Sequence, residues 1–421
     1  MQPVPVQISN NLFFHLIPFH SLFYLPLQRY IKTNKTGMIV PRVPIFNYLC
    51  KKFYTHMQKM NQTNIGGGEQ KSCQDLPIKS NSKRIEYIDA LRGFTIILVI
   101  YAHVYYVWRN SPIGNSSFDF NHIFVSFRMP LFFFISGFVL FKENIFRTKQ
   151  SISSFLTKKA KVQILPTLFF LVIYMYIFQK GTMEIIGSPF KGGYWFTLIL
   201  FAYFCMYSIG DYLLSVLRFN TKQRLMVLFA TSLIIYVLCT NPVLIGGRMA
   251  HILSLSQFRY FCFFVFGTIV KFQYDKVKDL FKNNYVSTSI VLGFLISTLI
   301  AETVRINSEW VMQTLKFIQS YCGVLLVFMF FEKNQNWCSK DTKIGNWLQY
   351  VGKRTLDIYL IHYFFLPSHW SFIDGNPTLN FFICLFMAIL VLIMSIVTSN
   401  LLRCSDFLTE WLFGRKKKST A

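Results

Sequence analysis

The stretch RIEYIDALRGFTIILVIYAHVYYVW, residues 84–108, decides the fold. It is apolar over at least the roughly 20 residues that a bilayer crossing requires, yet it holds Asp89, Arg92 and His103. Arg92 and His103 are eleven residues apart. At 100° per residue that spacing returns to within about 20° after three turns, so both side chains lie on one helix face, about 16 Å apart along the axis. Ionisable groups at membrane depth are costly and mark function by default. Asp89 lies one turn before Arg92 and can pair with it.

The rest of the chain has the same character. Of 421 residues 53% are hydrophobic and only 14% charged, with 47 phenylalanines. A soluble domain carries about 25% charged residues, so a soluble globule is excluded. Disorder is excluded by the apolar content, and a coiled coil by the lack of a heptad pattern. The expectation is an all-α polytopic membrane bundle of about ten transmembrane helices. They fall near 88–108, 123–141, 163–179, 194–216, 225–240, 258–270, 286–302, 314–331, 350–366 and 380–402. Loops and tail on one side of this topology, with Lys353 and Arg354 at the start of the ninth span, hold 23 Lys and Arg, and the loops on the other side five. By the positive-inside rule both termini are then cytoplasmic. That distribution also accounts for the net charge of +25 without a nucleic-acid partner; the expected partner is membrane lipid. The nine cysteines include no CxxC pair and read as small apolar residues, and no metal site is expected.

Residues 1–84 differ in character from the membrane segments. Asn11–Tyr30 is apolar but is interrupted by Pro18 and Pro26, which would break a helix twice. Residues 61–82, NQTNIGGGEQKSCQDLPIKSNS, have the composition of a flexible linker. The expected organisation is a disordered or mis-annotated extension and linker over 1–84, with Met57 or Met60 as the true start, a transmembrane domain over 85–403, and a basic tail over 404–421.

Three further segments carry polar groups. HIFVSFRMPLFFFISGFVLF (122–141) places Arg128 toward the opposite membrane face from Arg92, at a depth like that of His103, and Ser136-Gly137 allows close helix approach. FLTKKAKVQILP (155–166) crowds Lys158, Lys159 and Lys161 before Pro166; these fit a cradle for an anionic cofactor. GKRTLDIYLIHYFF (352–365) holds Asp357, Tyr359 and His362. Asp357 and His362 point about 140° apart on a helix and are not expected to pair. Each residue alone also fits a plainer role: Arg92 as a snorkelling side chain, Arg128 as an interfacial anchor, the lysines as topology signals, the histidines as interhelical hydrogen-bonders.

Taken together, the chain resembles the acyltransferase family 3 integral membrane proteins over about residues 84–400. IDALRGFTIILVIYAH is similar to that family's arginine-x10-histidine signature at Arg92 and His103, and FRMPLFFFISGF looks like its phenylalanine-rich SGF segment. GGYWFTLILF (192–201) is similar to its tryptophan-phenylalanine-leucine element, and GKRTLDIYLIH (352–362) to its closing motif. Lys159 and Gln163 stand in a region where the family usually carries arginines. The resemblance implies a bacterial inner-membrane O-acyltransferase. It would take an acyl group, typically acetyl, from cytoplasmic acyl-CoA and place it on a hydroxyl of an extracytoplasmic carbohydrate or glycolipid.

A sugar hydroxyl needs a base within hydrogen-bond reach, and an imidazole suits near neutral pH. His103 is therefore the candidate base, with an acyl-histidine intermediate as the other course open to it. Arg128 and Ser136 are candidates to stabilise the thioester oxyanion. Arg92, Lys159 and Lys161 are expected to bind the donor's phosphates. Trp195, Tyr359, His362 and Asp89 are the candidate substrate-binding residues. The alternative is a transporter or flippase for an anionic lipid-linked sugar, which would also want intramembrane Arg and His; no convincing internal repeat of the kind common in such folds is visible.

Overall fold

The computed structural model describes residues 85–109, 120–304, 307–367 and 377–405, together with 408, 409 and 412. The expected extension, linker and most of the basic tail lie outside the described residues. Within them the chain is helical and has no strand. Eleven helices organise the bundle: α1 (Glu86–Arg109), α2 (Phe120–Leu140), α3 (Lys149–Ile177), α4 (Trp195–Val216), α5 (Thr221–Thr240), α6 (Phe261–Phe272), α7 (Asn284–Thr303), α8 (Glu309–Lys333), α9 (Lys343–Lys353), α10 (Thr355–Ile361) and α11 (Pro377–Leu402).

Eight of these, all but α6, α9 and α10, are long and apolar enough to cross a membrane, so the chain is a multi-pass integral membrane protein. The sixth and ninth expected spans take another form. α6 has 12 residues, of which eight are buried. The ninth is split into α9 and α10 between Lys353 and Thr355, and continues as a 3-10 turn over His362–Phe365. Lipid dictates helix length only where lipid is the neighbour; α6, enclosed by protein, can be short.

Two backbone contacts set the centre of the bundle. α1 crosses α9 so closely that a methyl group at Gly93 would overlap the Leu348 carbonyl, and one at Gly352 the Asp89 carbonyl. α2 crosses α6 in the same way at Gly137 and Gly267, against the carbonyls of Phe264 and Phe134. Small residues that let backbones touch drive association where no hydrophobic force acts between helices. The Ser136-Gly137 pair thus performs the close approach expected of it. The aromatic run before it fills the space on both sides: Phe133 packs 4.9 Å from the Phe196 and Tyr203 rings, and Phe134 lies 5.1 Å from Phe328. Successive residues point about 100° apart, so one run serves two separate clusters.

The long α3 is interrupted by a π-helical turn at Ala160–Ile164, where the Leu165 N–H donates to the Ala160 carbonyl. The cause is Pro166 in the next turn, which has no N–H to offer Val162 and crowds the preceding carbonyls. Between α4 and α5, buried Arg224 donates from Nε to Asp211 Oδ1 at 2.8 Å.

The crossings make a direct prediction. Gly352→Val drives a branched side chain into the α1 backbone and should destabilise the protein by more than the ~1–3 kcal/mol of ordinary overpacking. Gly187→Val, at a position with open space around it, should be nearly neutral. Thermal unfolding of the two variants in detergent checks the contrast.

Candidate active site

α1 carries the site's two halves at its two ends. At its first turns Asp89, 3% exposed, pairs with Arg92 at 3.7 Å, as the spacing predicts. The Arg92 face opens on a cavity of about 270 Å³. Arg92, Lys159, Lys353, Ser136, Gln163 and Tyr359 bring polar groups to it, and Phe132, Phe196 and Phe204 supply apolar wall. Lys159 lies with its ammonium 4.4 Å over the Phe204 ring, a placement that holds a cation at an aromatic face. The π-turn of α3 presents Lys159, Val162 and Gln163 to this space. Gln163 is anchored there: its Nε2 donates to the Thr197 carbonyl of α4 at 2.7 Å, and Thr167 Oγ1 donates to its carbonyl at 2.7 Å. Ser136 Oγ donates to the Phe132 carbonyl at 2.8 Å, so its hydrogen is already engaged. Lys161 is exposed and does not line the cavity. Three cations that converge on one small space suit a polyanion.

His103 lies at the other end of α1 and is not part of the cavity lining. It belongs to a second cluster with residues of α10 and the turn after it. The His103 ring is 5.3 Å from that of His362 and 5.0 Å from that of Tyr363. Tyr359 joins the two halves, since it lines the cavity and its ring is 5.9 Å from His362. Tyr359 Oη donates to the Gly193 carbonyl at 2.5 Å and accepts from the Phe196 N–H at 3.2 Å. The common face of Arg92 and His103 therefore leads from the cavity, past Tyr359, to a pair of imidazoles. His362 is fully buried.

Arg128 stands near the imidazole end, its guanidinium 5.5 Å from the Tyr106 ring centre and close enough to His103 for its charge to act there. Ser136, eight residues further along α2, is about 12 Å away along the axis, so the two expected oxyanion candidates serve different halves. Trp195 packs 6.2 Å from both Phe133 and Tyr260 in the aromatic core and does not line the cavity. Asp357 faces away from His362, as expected. Its Oδ2 accepts from Arg403 Nε and Nη2 at 2.8 and 2.5 Å and from Ser399 Oγ at 2.9 Å, which fastens α10 to the end of α11.

Two contributors lay outside the residues singled out from the sequence. Lys353 reads as one more topology-setting lysine until the break after α9 turns it into the cavity. Tyr363 sits directly after His362, and nothing in its spacing announces that it reaches His103.

Residues 85–398 match a family model described as an acyltransferase domain, the type 3 acyltransferases. No curated protein and no solved structure matches the chain.

The clamp behind the site can be tested on its own. Arg403→Ala leaves the Asp357 carboxylate buried without its guanidinium, which typically costs about 3–5 kcal/mol. Joined with Asp357→Asn it should cost less, because no buried charge then remains. Unfolding midpoints of the single and double variants measure the difference.

Proposed function

Because the chain belongs to the acyltransferase 3 family, we propose that this membrane acyltransferase moves an acyl group, acetyl in the simplest case, from acyl-CoA to a hydroxyl of a carbohydrate or glycolipid. The observation that carries this reading is the convergence of Arg92, Lys159 and Lys353 on one cavity, at the far end of α1 from His103. The donor's phosphates bind at the three cations. That end belongs with the loops rich in Lys and Arg, which the positive-inside rule assigns to the cytoplasm, where acyl-CoA is found. The acceptor approaches from the other face, beside His103 and Arg128. The rise of about 16 Å between Arg92 and His103 is of the order of an extended pantetheine arm, so a thioester anchored by its phosphates can reach the imidazoles once it passes the Tyr359 ring.

His103 acts as the general base. It takes the proton of the acceptor hydroxyl as the oxygen attacks the thioester carbonyl carbon. Arg128, fixed close by, stabilises the oxyanion as it forms. When the tetrahedral intermediate collapses, the carbon–sulfur bond breaks and the imidazolium returns its proton to the leaving thiolate. Tyr359 and His362 bound the space in which the reacting groups meet. Ser136 and Gln163 line the donor cavity, and Asp89 orients Arg92. In a bacterial cell this topology suits an inner-membrane enzyme that modifies surface carbohydrate.

Purified protein in liposomes should incorporate labelled acetyl from acetyl-CoA into an acceptor glycan. Mass spectrometry of surface glycans from cells with and without the gene should show a lost acyl increment. His103→Ala should insert normally while acyl transfer falls by about 10²–10⁴-fold. Activity that survives His103→Ala unchanged would remove His103 from the chemistry. Lys353→Ala should raise the KM for acetyl-CoA by about tenfold, the scale of one charge-assisted contact, with a smaller change in kcat. Protein that neither transfers an acyl group nor hydrolyses the thioester would overturn the enzymatic reading.

A further inference from the structure

The hydrogen-bond partners of the two imidazoles favour one tautomer of each ring. The Gly193 carbonyl accepts from two phenols, Tyr359 Oη at 2.5 Å and Tyr363 Oη at 2.9 Å. A phenol has one hydrogen to give, and both are engaged on Gly193. Tyr363 Oη also lies 3.1 Å from His103 Nε2. With that hydrogen on Gly193 the oxygen accepts from His103 Nε2; were it turned to His103 instead, the Tyr363 and Gly193 oxygens would face each other at 2.9 Å with no hydrogen between them, so the first arrangement is favoured. The lone pair of His103 is then on Nδ1. His362 is set the opposite way. Its Nδ1 lies 3.1 Å from the Ile358 carbonyl, which can only accept. Nδ1 therefore carries the hydrogen, and Nε2 is a bare buried nitrogen with no hydrogen-bond partner among the described residues.

The acceptor at the root of this arrangement is held firmly. Gly193 has φ +99°, and a side chain there would overlap the Tyr363 ring, so both the conformation and the space require glycine. The turn that carries it is tied down by Lys191, whose Nζ donates to the carbonyls of Ile186, Ser188 and His251 at 2.6, 2.8 and 3.1 Å. Tyr359 adds a second link between Gly193 and α10. A lone imidazole exchanges tautomers readily, whereas a ring that donates into a phenol held by a fixed carbonyl keeps one tautomer.

We propose that Tyr363, braced by the Gly193 carbonyl, is a positioning residue that holds His103 as the Nε2–H tautomer, so that Nδ1 is the nitrogen that takes the acceptor's proton. The proposal rests on His103 being the base. The hydroxyl proton passes to Nδ1 while the hydroxyl oxygen bonds to the thioester carbonyl carbon. The imidazolium then donates from Nε2 into the Tyr363 hydroxyl and so to Gly193, a chain whose links strengthen one another as charge develops on the ring. On collapse the Nδ1 proton goes to the thiolate sulfur, and the starting tautomer is restored.

The test uses the full-length protein in liposomes, with acetyl-CoA as donor. Tyr363→Phe should lower kcat by about 10–100-fold, the range for one lost buried hydrogen bond. It should leave the KM for acetyl-CoA unchanged, because Tyr363 does not line the donor cavity. Solid-state nitrogen NMR of protein with isotope-labelled histidine reads the tautomer itself, the His103 signal being assigned by its loss in His103→Asn. The wild type should show His103 as Nε2–H, and Tyr363→Phe a mixture of tautomers. A wild-type His103 found as Nδ1–H would overturn the proposal even if the variant failed to fold. So would a Tyr363→Phe enzyme with unchanged kcat and unchanged tautomer. Loss of activity in His103→Ala with full activity in Tyr363→Phe would refute the positioning role alone. Full activity in His103→Ala would refute the base assignment on which it rests.

Discussion

The contact of α1 with α9, backbone against backbone at Gly93 and Gly352, governs the rest of the molecule. α1 is the helix with charge at one end and an imidazole at the other. α9 leads directly into α10, which supplies Tyr359, and then into the turn that supplies His362 and Tyr363. With the two backbones touching, Lys353 at the end of α9 meets the cavity that Arg92 lines. The turn beyond α10 is delivered to His103. A single added methyl group at either glycine would part both halves of the site at once. In a membrane such a contact has no substitute in apolar burial, because lipid tails solvate a leucine as well as another helix does.

The break between α9 and α10 falls beside the same crossing, at the rim of the cavity. A helix end inside a bilayer leaves carbonyls and N–H groups that lipid cannot satisfy. Here they are met within the protein. The Arg354 N–H donates to the Val351 carbonyl, Thr355 Oγ1 to the Gly352 carbonyl, and the Ile358 N–H to the Arg354 carbonyl. Asp357, just past the break, is neutralised by Arg403 from α11. The irregular backbone lies beside the cavity, and there it can turn side chains that a continuous helix would point elsewhere. The π-turn of α3 on the opposite wall obeys the same logic, with Pro166 as its cause and Gln163 as its anchor.

The sequence revealed the one-dimensional part of this arrangement. The face shared by Arg92 and His103 is a property of helical pitch, and so is the divergence of Asp357 from His362. Ser136-Gly137 declared a close approach through residue size alone. What sequence could not supply were meetings between distant segments. Gly193 and Tyr363 are 170 residues apart, and the carbonyl that organises the two phenols belongs to a glycine whose side chain says nothing. Periodicity also overstated the sixth and ninth spans. α6, buried along most of its length, has no polar face to mark its ends, so a short helix there reads as a full crossing.

The separation of charge from imidazole along α1 bears on how such a catalyst can work at all. A cation at membrane depth is costly unless an anion or a polar neighbour accompanies it. Arg92 has Asp89, and Lys159 has an aromatic face. Three cations on one cavity suit a polyanion there. Were the same cations beside His103, they would add to the charge of Arg128, which already acts on that ring, and would further oppose the imidazolium that the proposed base must become. On the proposed mechanism the neutral chain from His103 through Tyr363 to a backbone carbonyl would support the ring's developing charge without calling on a carboxylate, whose desolvation would itself need a partner. Tyr359 stands where the two regions meet, between the cationic end and the imidazole end.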